Sequence, residues 1–124
     1  MENKWKFKTY DDDVILMLFD EVEEVGGDRT TLTEWLFSDV QGSEYTLKIL
    51  EKIVNGDCDE DEFGGNAFEV FAKKDFTKIS CAFGEQVPNI KPCIVPTELL
   101  YEIVKVWLSE REKFYANRWL KVGN

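Results

Sequence analysis

The apolar residues of this chain change period three times, and a chain that does so can fold only as a mixture of strands and helices sharing one core. Trp5, Phe7 and Thr9 alternate with Lys4, Lys6 and Lys8, the period-two pattern of a half-buried strand. After Asp11-Asp12-Asp13, read as a turn, the continuous run Val14 to Phe19 predicts a central strand that extends into the alternation Asp20-Glu21-Val22-Glu23. The two strands most simply form a hairpin. Gly26-Gly27-Asp28 then breaks the strand, and Thr31-Leu32-Thr33-Glu34 has the form of a capping box. Leu32, Trp35, Leu36 and Val40 follow on one side of a short helix that Gly42 stops. Ser43 is placed to cap a second helix carrying Leu47, Ile49, Leu50, Ile53 and Val54 at helical spacing, up to Asn55-Gly56.

The period returns to two beyond an acidic run. Gly64-Gly65-Asn66 reads as a turn, Phe68, Val70 and Ala72 alternate with Glu69, Phe71 and Lys73, and Thr77 to Phe83 alternates again. Lys91 to Val95, bracketed by Pro88, Pro92 and Pro96, suits a short strand at a sheet edge, where proline is tolerated. Pro96-Thr97-Glu98 opens the longest helix, with Thr97 as candidate cap and Leu100, Ile103, Val104, Trp107, Leu108 and Phe114 on one face. The expected fold class is therefore α+β. A single domain over residues 1–124, in the order β-β-α-α-β-β-β-α, has one largely antiparallel sheet with helices packed on one face. Trp35 and Trp107 fall in its core. Tyr115 and Trp119, among Arg111, Lys113, Arg118 and Lys121, finish its packing or anchor an interface.

Charge decides which functions such a domain can serve. The chain has 25 Asp and Glu against 15 Lys and Arg, a net charge of -10, and no histidine. That balance favours basic partners and disfavours nucleic acid phosphates or an anionic membrane surface. The absence of histidine excludes serine–histidine and cysteine–histidine catalysis. Carboxylate pairs could still do chemistry, but the acid clusters fall in turns or on helix surfaces, so the expectation is a protein that is not an enzyme. Gly26-Gly27 and Gly64-Gly65 lack the spacing of a phosphate loop. Cys58, Cys81 and Cys93 are odd in number and contain no C-x-x-C pair, which points to reduced thiols, two of them in strands, and to no cofactor or metal centre. No segment has the length of a signal-peptide core or of a membrane span, and the expected location is cytoplasmic.

The acid is most concentrated in Asp57-Cys58-Asp59-Glu60-Asp61-Glu62. Asp57, Asp59 and Asp61 reproduce the start of a calcium loop, but Glu62 stands where the loop needs glycine and Phe68 where it needs a bidentate glutamate. A run of this kind commonly serves as a solvated connection between a helix and a strand. The functional alternative is docking onto a basic partner, with Asp57, Asp59, Glu60, Asp61 and Glu62 as the contact patch and Asp11, Asp12 and Asp13 as a second, weaker one.

The layout resembles the small immunity proteins of bacterial contact-dependent inhibition and related polymorphic toxin systems. What carries the likeness is the strand pair, the helical segment Thr31 to Val54 ending in Asn55-Gly56, the acidic connection, Gly64-Gly65-Asn66-Ala67-Phe68, and the helix from Pro96-Thr97-Glu98 to Trp107. The resemblance implies a cytoplasmic protein that binds a cognate toxin domain, commonly a nuclease, and blocks its active site or an adjacent surface. It carries over no residue-level motif. Two other readings stay open: an acidic inhibitor that mimics nucleic acid, and an enzyme using carboxylates alone.

Overall fold

In the computed structural model, residues 5–11, 13–82 and 91–122 are described. Lys4, Asp12, Phe83 and Pro88 lie outside them, and so do the side chains of Arg118, Trp119 and Lys121. The fold is α+β, with strands β1 (Lys6–Tyr10), β2 (Val14–Leu18) and β3 (Gly26–Gly27), then helix α1 (Arg29–Trp35) continued by a π-helical turn (Leu36–Val40). Helix α2 (Tyr45–Val54), strands β4 (Glu60–Gly64), β5 (Phe68–Lys73), β6 (Phe76–Cys81) and β7 (Cys93–Pro96), and helix α3 (Thr97–Val122) complete it.

The strands form two sheets where the sequence predicts one. β1 and β2 make an isolated antiparallel hairpin, and the five-stranded sheet runs β3-β7-β6-β5-β4, antiparallel throughout. The run Val14 to Phe19 is thus half of a hairpin. Ile15, Met17 and Phe19 are buried while Leu16 and Leu18 are half-exposed, and the predicted extension through Val22 is instead a pair of turns. α1 lies beside β2, and the Thr33 hydroxyl donates 2.7 Å to the Met17 carbonyl. Two strands are additional to the predicted order: the two-residue β3, which covers β7 so that β7 is not the edge, and β4, formed from the acidic run itself.

Alternation within the larger sheet sends Phe68, Val70, Ala72, Thr77, Ile79, Cys93 and Val95 to one face, where all are buried under the helices. α1 contributes Leu32 and Trp35, the π-turn Leu36 and Val40, α2 Leu50 and Ile53, and α3 Leu100, Ile103, Val104 and Trp107 to the same core. The opposite face, with Glu69, Phe71, Lys73, Phe76, Lys78 and Ile94, carries no helix and is exposed or half-buried. Helices on one face is what the period-two pattern requires, since only every second residue of each strand is apolar enough to bury.

Helix starts differ from the capping-box reading. Asp28 is the N-cap of α1, its carboxylate accepting the Thr30 N–H at 3.0 Å, one residue after Gly27 at φ 74. Thr31 instead donates to the Lys91 carbonyl at 2.6 Å, tying α1 to the approach to β7. The Thr97 hydroxyl is likewise drawn into the core, bonded to the Lys73 carbonyl and to Thr77 Oγ1. Gln41, at φ 51, and not Gly42, makes the left-handed turn that ends the first helical segment, and its carbonyl accepts the buried Trp107 indole N–H at 2.8 Å.

The π-turn positions Asp39 against the β4–β5 turn. Its carboxylate accepts the N–H groups of Ala67 at 3.1 Å and Phe68 at 3.0 Å, and Asn66 donates to the Ser38 carbonyl at 2.9 Å. Gly65 passes directly beneath the Asp39 side chain, where a Cβ would collide with the carboxylate. Two orphan amides are therefore satisfied by one charged acceptor, an arrangement worth more than a neutral bond. We expect Asp39→Ala to lower unfolding stability by about 2 kcal/mol, read as a shifted urea midpoint with unchanged m-value. A change under about 0.5 kcal/mol, the range of ordinary surface substitutions, would show that these bonds are not stabilising.

Cys93 lies in the core between Ile79 and Gly27. Burial, assisted by the negative charge of Asp28, pushes its thiol from 9.0 up to about 12. Between those values the unfolded chain loses the proton and the folded chain keeps it. The contribution of this thiol is therefore intact below pH 9 and disappears as pH rises through about 12. Over that window wild-type stability should fall more steeply than that of Cys93→Ala, by up to about 1.4 kcal/mol per pH unit. Parallel pH profiles in urea unfolding would contradict the assignment.

Candidate functional site

Period two divides the acidic run among different directions. Asp57 and Asp59 sit in the turn after α2, which is closed by the Asp57 and Cys58 N–H groups on the Lys52 carbonyl at 2.8 and 3.2 Å. Glu60, Asp61 and Glu62 then enter β4, paired with Lys73, Ala72 and Phe71 of β5. Glu60 and Glu62 share the open face with Phe71 and Lys78, whereas Asp61 and Phe63 share the helix-side face with Ala72 and Val70. The run is therefore the outer edge strand of the sheet where a loop is expected, and its carboxylates flank the edge from both faces.

All five carboxylates are exposed. Among the described residues the ion pairs are Lys6–Glu21, Lys105–Glu102 and Lys113–Glu110, so none of the five is neutralised by an intramolecular partner at close range. Phe63 is half-buried and meets the Tyr45 ring edge-on at 6.2 Å, and Tyr45 remains 60% exposed. Beside the strand, on the open face, Glu62, Gly64, Glu69, Phe71 and Ser80 border a depression of about 560 Å³ with Lys78 at its rim. Tyr45 and Glu69 are contributors the acidic motif does not reveal; only the β4–β5 register and the start of α2 bring them to this edge.

The second acidic group is elsewhere. Asp11, at φ 53, and Asp13 belong to the β1–β2 turn, and the Tyr115 hydroxyl donates to the Asp13 carbonyl at 2.9 Å. Lys73, opposite Glu60, is bound through Thr97 to the start of α3, whereas Tyr115 lies eighteen residues along the same helix. At 1.5 Å per residue the Glu60 end of the edge and Asp13 are about 27 Å apart along that axis. The other end of the edge is nearer: Asn66, just past Gly64, borders the same groove as Ile15 and Tyr115.

The arrangement displays charge and fully buries none of the described carboxylates. Buried polar side chains among the described residues are the threonines 31, 33, 46, 77 and 97, while every described Asp and Glu is exposed or half-buried. No group of three or more Cys, Asp or Glu among the described residues could hold a metal ion, and the strand sends Glu60 and Glu62 to one face and Asp61 to the other where a calcium loop would wrap its ligands round one centre. Cys58 and Cys81 are half-buried free thiols, and Cys58 Sγ donates to the Glu60 carbonyl at 3.0 Å. Among the described residues no helix is long and apolar enough to cross a membrane. Comparison with protein-family models, with curated proteins and with solved structures finds no match to this chain.

Proposed function

We propose that this protein is a cytoplasmic immunity protein that binds a cognate bacterial toxin domain, a basic nuclease, and occludes its substrate surface. The observation that carries the reading is the β4 edge, on which Glu60, Asp61 and Glu62 stand exposed and unpaired beside Asp57 and Asp59. A nuclease groove is basic because it binds phosphates, and a row of carboxylates on a rigid strand can occupy it in their place. Exposed charge of this kind governs the encounter rate and the exclusion of wrong partners. Affinity is set by aromatic anchors that become buried on binding, for which Tyr45 and Phe63 are the residues adjacent to the row. Carboxylate catalysis has less support, since no described acid is fully buried.

The test is capture of the partner from the source organism by tagged protein, followed by association kinetics. A basic nuclease domain should be recovered. The variant Asp57→Asn/Asp59→Asn/Glu60→Gln/Asp61→Asn/Glu62→Gln should associate with it about tenfold or more slowly at low ionic strength, the difference vanishing near 1 M salt. Asp11→Asn/Asp13→Asn, which removes charge from the β1–β2 turn, should leave the rate within about twofold, the long-range share of steering at moderate ionic strength. Recovery of no basic partner, or equal rates for the five-site variant and wild type, would overturn the reading.

A further inference from the structure

The outer edge of β4 is built to accept another strand, and its bonding phase can be fixed. In an antiparallel ladder, residues alternate between facing the neighbouring strand and facing away from it with both backbone groups. The Gly65 N–H donates to the Phe68 carbonyl at 3.0 Å, which makes that pair a bonded one in the β4–β5 register. Phe63 and Asp61, two and four residues back, therefore also face β5. Glu60, Glu62 and Gly64 face outward. Two independent bonds agree: the Ala82 N–H reaches the Ala67 carbonyl at 2.8 Å, which sets the same phase on the β6 side of β5, and the Cys58 thiol meets the Glu60 carbonyl from outside the sheet. Among the described residues, the N–H and C=O of Glu62 and of Gly64 remain open along the edge.

We propose that this edge binds an extended segment of another protein as a sixth strand, one carrying Lys or Arg at every second position with apolar residues between. The inference rests on the partner-binding reading above and specifies its mode. Outward-facing edges pair with other strands unless something prevents it, and here the charges decide which strands are admitted. A second copy of this chain is disfavoured, because pairing β4 with itself would set Glu60 and Glu62 against carboxylates of the same sign. A basic segment meets the opposite situation. On the open face its cationic side chains fall beside Glu60 and Glu62, and the one passing over Gly64, where no side chain obstructs it, enters the depression between Glu62 and Glu69. Lys78 bounds the far side of that depression and Lys73 lies over the Phe71 ring at 5.2 Å, so the favourable position is the Gly64–Glu69 end. On the other face the alternate apolar side chains fall beside Phe63 and the exposed ring of Tyr45.

The acetylated, amidated peptide Lys-Val-Lys-Val-Lys-Val-Lys is the probe, titrated into the full chain with amide hydrogen exchange as the readout. Saturation should slow exchange at Glu62 and Gly64 at least tenfold and leave Asp61 and Phe63, already bonded to β5, unchanged. Glu62→Pro removes an outward N–H without touching the β5 ladder. It should weaken the peptide at least tenfold beyond Glu62→Gln, which removes the charge alone. If Glu62→Pro loosens β4, seen as faster exchange at Asp61 and Phe63, the same comparison is made with wild-type protein and a peptide N-methylated at alternate residues, whose affinity should fall at least tenfold for one of the two methylation phases. No peptide binding, unchanged exchange at Glu62 and Gly64, or indifference to both methylation phases would each overturn the proposal. A captured toxin domain that leaves those two amides exchanging freely overturns strand addition while toxin neutralisation stands; peptide protection of both amides with no toxin captured supports strand addition and removes the neutralisation reading.

Discussion

The candidate surface depends on one half-buried carboxylate. Asp39 accepts the two amides of the β4–β5 turn, and through them it fixes the outermost strand to the helical layer. Its position is set by the π-helical turn, whose wider ladder closes with the Gln41 N–H on the Leu36 carbonyl at 2.9 Å and leaves Gln41 at a positive φ. Trp107 then donates to the Gln41 carbonyl, so α3, the π-turn and the sheet edge are joined in a chain of three bonds. A strand of three consecutive acids has little intrinsic preference for extended structure, and an outer edge gives it only one bonded neighbour. Anchoring its turn from the helical side supplies what the strand itself lacks.

Much of the architecture can be read where apolar residues mark one face. Phe68, Val70 and Ala72 in β5, Thr77 and Ile79 in β6, and the stripe from Leu100 to Trp107 in α3 are buried as their spacing requires. The failures occur where burial is not the organising force. β4 has one apolar residue, Phe63, and three acids, so neither periodicity nor propensity separates it from a loop; its strand character comes from pairing with β5. β3 is two glycines held by the close approach of Gly27 to the Pro92 carbonyl, a contact with no signature beyond the glycines themselves. Thr31 and Thr97 resemble caps, but their hydroxyls are spent on carbonyls sixty and twenty-four residues away. Local sequence cannot announce such partners.

The candidate site divides along the same line. The residue types of the acidic run are plain in the sequence, and so is their preference for a cationic partner. Their geometry is not, because a loop would present five equivalent carboxylates, whereas a strand sends Glu60 and Glu62 to one face and Asp61 to the other. The separation of the Glu60 end of this edge from Asp13 is likewise a property of the long α3 between them. Tyr45 and Glu69 enter only through tertiary placement.

Charge on an edge strand serves folding and recognition at once, and the two uses need not compete. Five unpaired carboxylates repel the like-charged edges of neighbouring copies, which protects the exposed ladder of a sheet whose other edge, among the described residues, is covered by the two residues of β3. In the proposed strand addition the same repulsion would be the first step of selection. It lowers the occupancy of neutral or acidic strands without filling the outward N–H and C=O of Glu62 and Gly64, so those groups remain available to a segment whose charge reverses the sign of the interaction. An edge blunted by proline or by a bulge would be equally safe from aggregation and could bind nothing. Protection by charge is conditional where protection by shape is not, and it is this condition that makes the edge a candidate for recognition.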